Sequence, residues 1–237
     1  MTLKTGLLVS ALLASATPAF AAGPWVPTGW WKFNDWGAIA FRDSVAGNTG
    51  TLYGPAYATD CNRGTHCLYF DGVNDFAAIP YSVGTQPGTN NFRVVATIWP
   101  TLPRPAQGAD IAVSSGDPNP YWKMAISEPG ATGQLSCSFR GTLGQSYVFG
   151  GPDLYDNVGH TVECRLNRKL GTDQTQGLVD GVPVFSVFTP VGAVQTNQNI
   201  ILGASCCLDA GYFAGWMDVD SFDVGGSRRA LPPARYG

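Results

Sequence analysis

Three groups of residues carry whatever chemistry this chain can do: six cysteines, one segment of alternating carboxylates, and a few aromatic clusters beside polar groups. The cysteines are Cys61, Cys67, Cys137, Cys164, Cys206 and Cys207. None form a Cys-x-x-Cys pair, and the two histidines, His66 and His160, lie far apart in sequence. The set therefore reads as disulfides rather than as zinc ligands. Cys61 and Cys67 enclose five residues, enough for a small pinned loop. Cys137 and Cys164 each fall inside a β-rich run, which suits a bridge between strands or across sheets. Cys206 and Cys207 are adjacent, and the expectation is a vicinal disulfide. The alternative is that one of them joins Cys61 or Cys67.

Asp218-Val219-Asp220 places two carboxylates on one face of an extended segment. A retaining glycosidase needs such a pair about 5–5.5 Å apart, but this segment carries no glutamate. A Ser-His-Asp arrangement would have to recruit His66 or His160, and no Gly-x-Ser-x-Gly elbow occurs. Binding is therefore expected over catalysis. Sugar recognition needs an exposed aromatic platform with polar neighbours. Tyr121-Trp122 beside Lys123, and Tyr212-Phe213 near Asp209, are the candidates. For each ring the competing reading is core packing, where Trp and Phe of sandwiches mostly lie.

The elements that must position these groups are strands. Charged residues make up only 13% of the 237, about half the usual share. Gly, Thr, Pro and Asn are abundant, and helical periodicity is hard to find. Short β-rich runs bounded by Gly, Pro, Asn and Asp recur along the chain. They cover residues 29–33, 51–53, 67–70, 76–79, 92–99, 109–113, 121–127, 134–140, 146–149, 160–166, 176–179, 184–187, 199–202 and 215–224. Many short strands without crossover helices imply two packed antiparallel sheets. In the last run, Met217, Val219 and Ser221 are expected on one face, with Trp216, Asp218, Asp220 and Phe222 on the other.

Residues 1–21 have a basic Lys4, an apolar stretch of about eleven residues and Ala19-Phe20-Ala21. They read as an export signal, too short for the about twenty residues of a membrane span. Residues 22–237 then form a single exported domain. The net charge of −3 and the scattered basic residues give no reason to expect nucleic acid.

Several segments, in order, resemble one family. Gly29-Trp30-Trp31-Lys32-Phe33-Asn34 resembles its opening strand. Asp43-Ser44-Val45-Ala46-Gly47-Asn48-Thr49-Gly50-Thr51-Leu52 resembles its Gly/Asn-rich loop. Leu68-Tyr69-Phe70-Asp71-Gly72-Val73-Asn74-Asp75-Phe76 resembles its "L-x-F-D-G-V-D-D-Y" motif. Val179-Asp180-Gly181-Val182-Pro183-Val184 resembles its "Y-V-D-G-x-x-V" hairpin. The pattern is similar to that of laminin G-like domains of the concanavalin A-like superfamily. The resemblance implies an all-β, two-sheet antiparallel jelly-roll sandwich. It also implies one structural calcium ion, with Asp218 as first-choice ligand and Asp71, Asn74 and Asp75 as matching positions. The function it implies is a secreted recognition module for carbohydrate or an extracellular protein. A structural, adhesive or self-assembling protein is the alternative, and a glucanase or polysaccharide lyase the next. Ligand identity and oligomeric state stay open.

Overall fold

Alternation sets the architecture. In the segment 92–99, Phe92, Val94, Ala96 and Ile98 are fully buried while Arg93, Val95 and Trp99 reach the opposite face. The same two-residue period recurs along the chain, and each apolar face needs a partner. The computed structural model describes residues 25, 27–31, 33, 39–54, 57–61, 65–115, 120–126, 132–169 and 171–225. Of 57–61 and 65 only the backbone is described. The expected export signal at 1–21 lies outside these residues.

Sixteen strands follow one another: β1 (Pro27–Gly29), β2 (Ala40–Arg42), β3 (Thr49–Tyr53), β4 (Tyr57–Cys61), β5 (Thr65–Asp71), β6 (Phe76–Ile79), β7 (Asn91–Pro100), β8 (Ala109–Ser114), β9 (Tyr121–Ile126), β10 (Leu135–Arg140), β11 (Gln145–Gly150), β12 (His160–Lys169), β13 (Thr172–Val179), β14 (Val182–Thr189), β15 (Ile200–Leu202) and β16 (Ala214–Gly225). Among the described residues the one helical turn is the 3-10 turn Val83–Thr85. The first sheet has the order β14-β13-β12-β7-β16-β5-β4, with β1 also on β16; the second runs β11-β10-β9-β8-β15-β6-β3-β2. All pairs between these strands are antiparallel. The expected two-sheet antiparallel sandwich is therefore the fold. The expected opening strand at 29–33 is shorter: β1 ends at Gly29, and Trp31 pairs with Asp43 only as an isolated bridge.

Aromatic rings join the two sheets. Phe92 of β7 packs against Trp122 of β9 at 5.1 Å between ring centres, and Trp122 against Phe222 of β16 at 5.6 Å. Phe139 of β10 meets the edge of Phe92, and Trp31 meets Phe222 edge-on. All five are at most 1% exposed. Trp122, a candidate sugar platform, is thus a core residue. The parity of β9 turns it inward and its neighbour Tyr121 outward. Next to this core, Cys137 of β10 and Cys164 of β12 form a disulfide across the sheets, with Cα atoms 5.7 Å apart. Closing a loop of 27 residues restricts the unfolded chain and is worth about 3.5 kcal/mol. Cys67 is also disulfide-bonded. Its expected partner, Cys61, lies outside the described side chains.

The ends of the sandwich are tied by polar groups. Arg168 donates to the carbonyls of Gly88, Asn90 and Gly192 and pairs with Asp173, whose carboxylate accepts the N–H groups of Val191 and Gly192. The β13–β14 hairpin turns at Asp180-Gly181, both at positive φ (52° and 78°), as Asp-Gly favours.

Trp122→Ala is expected to destabilise the fold by about 3–5 kcal/mol, against less than about 1 kcal/mol for Tyr121→Ala. Urea or guanidinium denaturation of the two variants measures both.

Candidate functional site

The outer face of the first sheet gathers the side chains that β5, β7, β12 and β16 turn away from the core. Register sets Trp216 between Tyr69 of β5 and Trp99 of β7. The rings of Tyr69 and Trp216 are 5.2 Å apart and inclined by 57°. Trp216 is exposed, and Tyr69 and Trp99 are half-buried. The residue before β12 must be glycine for Trp99 to lie as it does: a Cβ on Gly159 would stand 2.1 Å from the indole Nε1.

A polar row runs beside this aromatic one. Asp218 of β16 pairs with Thr97 of β7, and Thr97 with Thr161 of β12. Thr97 Oγ1 donates to Asp220 Oδ2 at 2.9 Å and stands 3.2 Å from Thr161 Oγ1. Burial, then the neighbouring charge of Asp220, pushes the Asp218 carboxyl up to about 7. A β-bulge between Asp218 and Ser221 resets the strand. This corrects the expected alternation: Phe222 turns into the core with Met217 and Val219, and Ser221 does not. Further along, the charges neutralise one another. Arg93 pairs with Asp223 at 2.7 Å and with Glu163 at 3.6 Å, and Arg165 with Glu163. Trp25 lies over the Arg93 guanidinium, 5.1 Å away.

The loop before β12 is latched to the sheet by His160. Its Nδ1 lies 2.8 Å from Asp180 and its Nε2 3.1 Å from Asp156. A neutral ring has one N–H, so two carboxylate contacts favour the imidazolium. Burial pulls the His160 pKa down, but the hydrogen bonds and charges of Asp180 and Asp156 outweigh it, and the net direction is up from 6.5. The hydrogen bond from the Val158 N–H, followed by that of His160, holds Asp156 below its ordinary value.

Of the sequence candidates, Asp218 and Asp220 lie on this face, and the sugar-platform candidates Tyr121, Trp122, Tyr212 and Asp209 do not. Tyr121 projects from the second sheet, its hydroxyl accepting from Ser138 and Gln145. Tyr212 donates to the Leu208 carbonyl at 2.7 Å, and Asp209 accepts from Ser205 at 2.9 Å; both brace the loop before β16. Cys206 and Cys207 in that loop are not joined: their sulfurs stand 3.0 Å apart, against about 2.05 Å for a bond.

The four calcium candidates do not fit one ion as a set. Asp71 accepts the N–H groups of Val73 and Asn74, and Asp75 accepts that of Asp71, so these carboxylates build the β5–β6 turn. Asp218 lies four residues along β16 from Ala214, the residue paired with Asp71. No group of three or more His, Cys, Asp or Glu among the described residues is arranged to hold a metal. Nor does any helix among them have the length and hydropathy to cross a membrane.

No family model matches the sequence. No curated protein matches it either. Solved structures do match. The binding domain of Paraclostridial Mosquitocidal Protein 1 superposes with a TM-score of 0.63 at 13% identity, over 87% of this chain and 49% of that one. The binding domain of botulinum neurotoxin serotype G gives 0.62 at 14% identity, over 84% and 47%. Domain 4 of an extracellular arabinanase from Geobacillus stearothermophilus, solved with arabinotriose, gives 0.60 at 16% identity, over 85% and 93%. The fold is a concanavalin A-like jelly roll. This chain spans about half the length of the two toxin domains and nearly all of the arabinanase domain. At these identities the likeness establishes the jelly roll alone.

Sequence reading missed Tyr69, Thr97, Trp99, Thr161 and Trp216 as a group. A signal existed: Thr97 and Trp99 share a parity in one run, and Trp216, Asp218 and Asp220 in another. Only the pairing of β7 with β16 brings the two sets together.

Two of the raised pKa values, those of Asp218 and His160, bear on the stability of the jelly roll around neutral pH. Asp218 is raised from 3.8, so its cost is absent well below that value and full above about 7. His160 is raised from 6.5, so its contribution is complete below 6.5 and is lost as pH climbs through its folded pKa. Both make the fold less stable at alkaline pH. Asp218→Asn is expected to raise stability by about 1–2 kcal/mol near pH 8 and to change little near pH 4. Denaturation midpoints of wild type and variant across that range check it.

Proposed function

We propose that this protein is an exported, non-catalytic recognition module that binds a carbohydrate on the outer face of the first sheet. The observation that carries the reading is the row Tyr69–Trp216–Trp99 with Asp218, Asp220 and two threonines beside it. A sugar ring presents an apolar face to aromatic side chains and a rim of hydroxyls to acceptors. Carboxylates and threonine hydroxyls supply that rim. The arabinanase domain solved with arabinotriose has the same fold and nearly the same extent, which supports carbohydrate over a protein ligand.

One observation favours a second reading. Asp218 titrates near neutrality beside a second carboxylate, as a general acid would. Against it, the strand carries no glutamate, and Asp220 already accepts the Thr97 hydroxyl. Release of reducing ends from a polysaccharide, abolished in Asp218→Asn, would favour that reading.

The test is calorimetric titration with arabino-, xylo- and gluco-oligosaccharides. At least one series is expected to bind. Trp216→Ala and Trp99→Ala are expected to weaken it tenfold or more, about 1.4 kcal/mol or above. Tyr121→Ala and Tyr212→Ala are expected to leave it unchanged. Binding that survives both tryptophan changes would overturn the assignment.

A further inference from the structure

Cys206 and Cys207 sit in the loop between β15 and β16, and that loop is well held. Gly203 N–H donates to Ile111, Phe213 N–H to Gly203, and Asp110 N–H to the Gly211 carbonyl at 2.8 Å. Within it, Ser205 N–H donates to Ala210 and Leu208 N–H to Ser205. Tyr212 and Asp209 add the two side-chain bonds already described. The framework presents two sulfurs 3.0 Å apart, with Cys207 exposed and Cys206 half-buried.

The other cysteines whose side chains are described, Cys67, Cys137 and Cys164, are all in disulfides. Disulfides persist where the surroundings are oxidising, and the same surroundings reach Cys207. We propose that Cys206 and Cys207 are a redox-active vicinal dithiol, closed to a disulfide by exchange with a low-molecular-weight disulfide of the glutathione type and reopened by the corresponding thiol.

The exchange runs in two displacements. The Cys207 thiolate attacks one sulfur of the small disulfide. That S–S bond breaks, and one small thiolate leaves and takes up the proton that Cys207 lost. Cys206, 3.0 Å away, then attacks the Cys207 sulfur as a thiolate. The mixed S–S bond breaks, the Cys206–Cys207 bond forms, and a second small thiol is released. Two protein thiols are oxidised and one small disulfide is reduced to two thiols.

Adjacency makes this bond labile. Neighbouring Cα atoms are about 3.8 Å apart across a trans peptide and about 2.9 Å across a cis one. Both fall below the roughly 4.4–6.8 Å that an unstrained disulfide spans. Strained, exposed disulfides are more readily reduced. Cys137–Cys164, with Cα atoms 5.7 Å apart inside the core, is under neither condition.

The full chain is reduced mildly, freed of reductant, treated with oxidised glutathione, quenched in acid, alkylated, digested and weighed. The peptide carrying both cysteines is expected to be two hydrogens lighter than its dithiol, with no alkyl group and no glutathione. In Cys206→Ser, glutathione is expected to stay on Cys207, because the resolving sulfur is gone. Graded dithiothreitol is expected to make residues 206 and 207 alkylatable before 137 and 164. A wild-type peptide that keeps glutathione, or that remains doubly alkylated after oxidant, overturns the proposal. So does reopening of the two pairs at the same dithiothreitol concentration.

Discussion

The contact on which the rest of this molecule depends is the stack of rings between its sheets. Phe92 and Phe222 belong to one sheet, Trp122 and Phe139 to the other, and Trp31 closes the end. Aromatic side chains bury more area per residue than any others and pack edge-to-face with little conformational loss. Because β-strand side chains alternate, sending Phe92 inward fixes Arg93, Val95 and Trp99 on the outside. Sending Met217 and Val219 inward puts Trp216, Asp218 and Asp220 there. The core therefore chooses the membership of the outer face. The disulfide between β10 and β12 adds to the same constraint from the unfolded side.

The outer face divides by charge. At one end, Arg93, Glu163, Arg165 and Asp223 satisfy one another beneath Trp25. At the other, Asp218 is partly desolvated next to a like charge. A carboxylate placed so does not help folding, and groups kept at such a cost concentrate where proteins bind or react. The bulge beside it is part of the arrangement. An unbroken strand would have carried Phe222 outward and left the ring stack without one of its members.

The acidic residues of the family-like motifs do other work. Asp43 accepts the N–H groups of Trp30, Val45 and Ala46, and Asp71 and Asp75 do likewise in the β5–β6 turn. Their side chains replace backbone partners that a tight loop cannot supply. Motif matching finds such residues because a turn demands them, whether or not an ion or ligand is near. The Asp156–His160–Asp180 latch is a case of the opposite kind. Asp180 belongs to the hairpin motif, but no single motif encodes the latch, since it forms between a loop and a hairpin turn twenty-four residues apart in sequence.

The sequence by itself determined the all-β class, the two antiparallel sheets, most of the strands and the Asp-Gly hairpin. Those follow from local periodicity and turn chemistry, which act over a few residues. It placed Cys137 and Cys164 within strands, and so suited them to a bridge, but did not select one partner for each. Tertiary structure decided which aromatics are core and which are surface. Trp122 and Tyr121 are neighbours with the same composition around them, and only the direction of the β9 pleat separates them. It also decided the site. Tyr69, Trp99 and Trp216 come from strands whose pairing is set by packing across the sandwich, and no spacing along the chain encodes that register. The cysteines that opened the reading divide along the same line. Their even number is written in the chain, while the 3.0 Å between Cys206 and Cys207 and the burial of Cys137 and Cys164 belong to the fold.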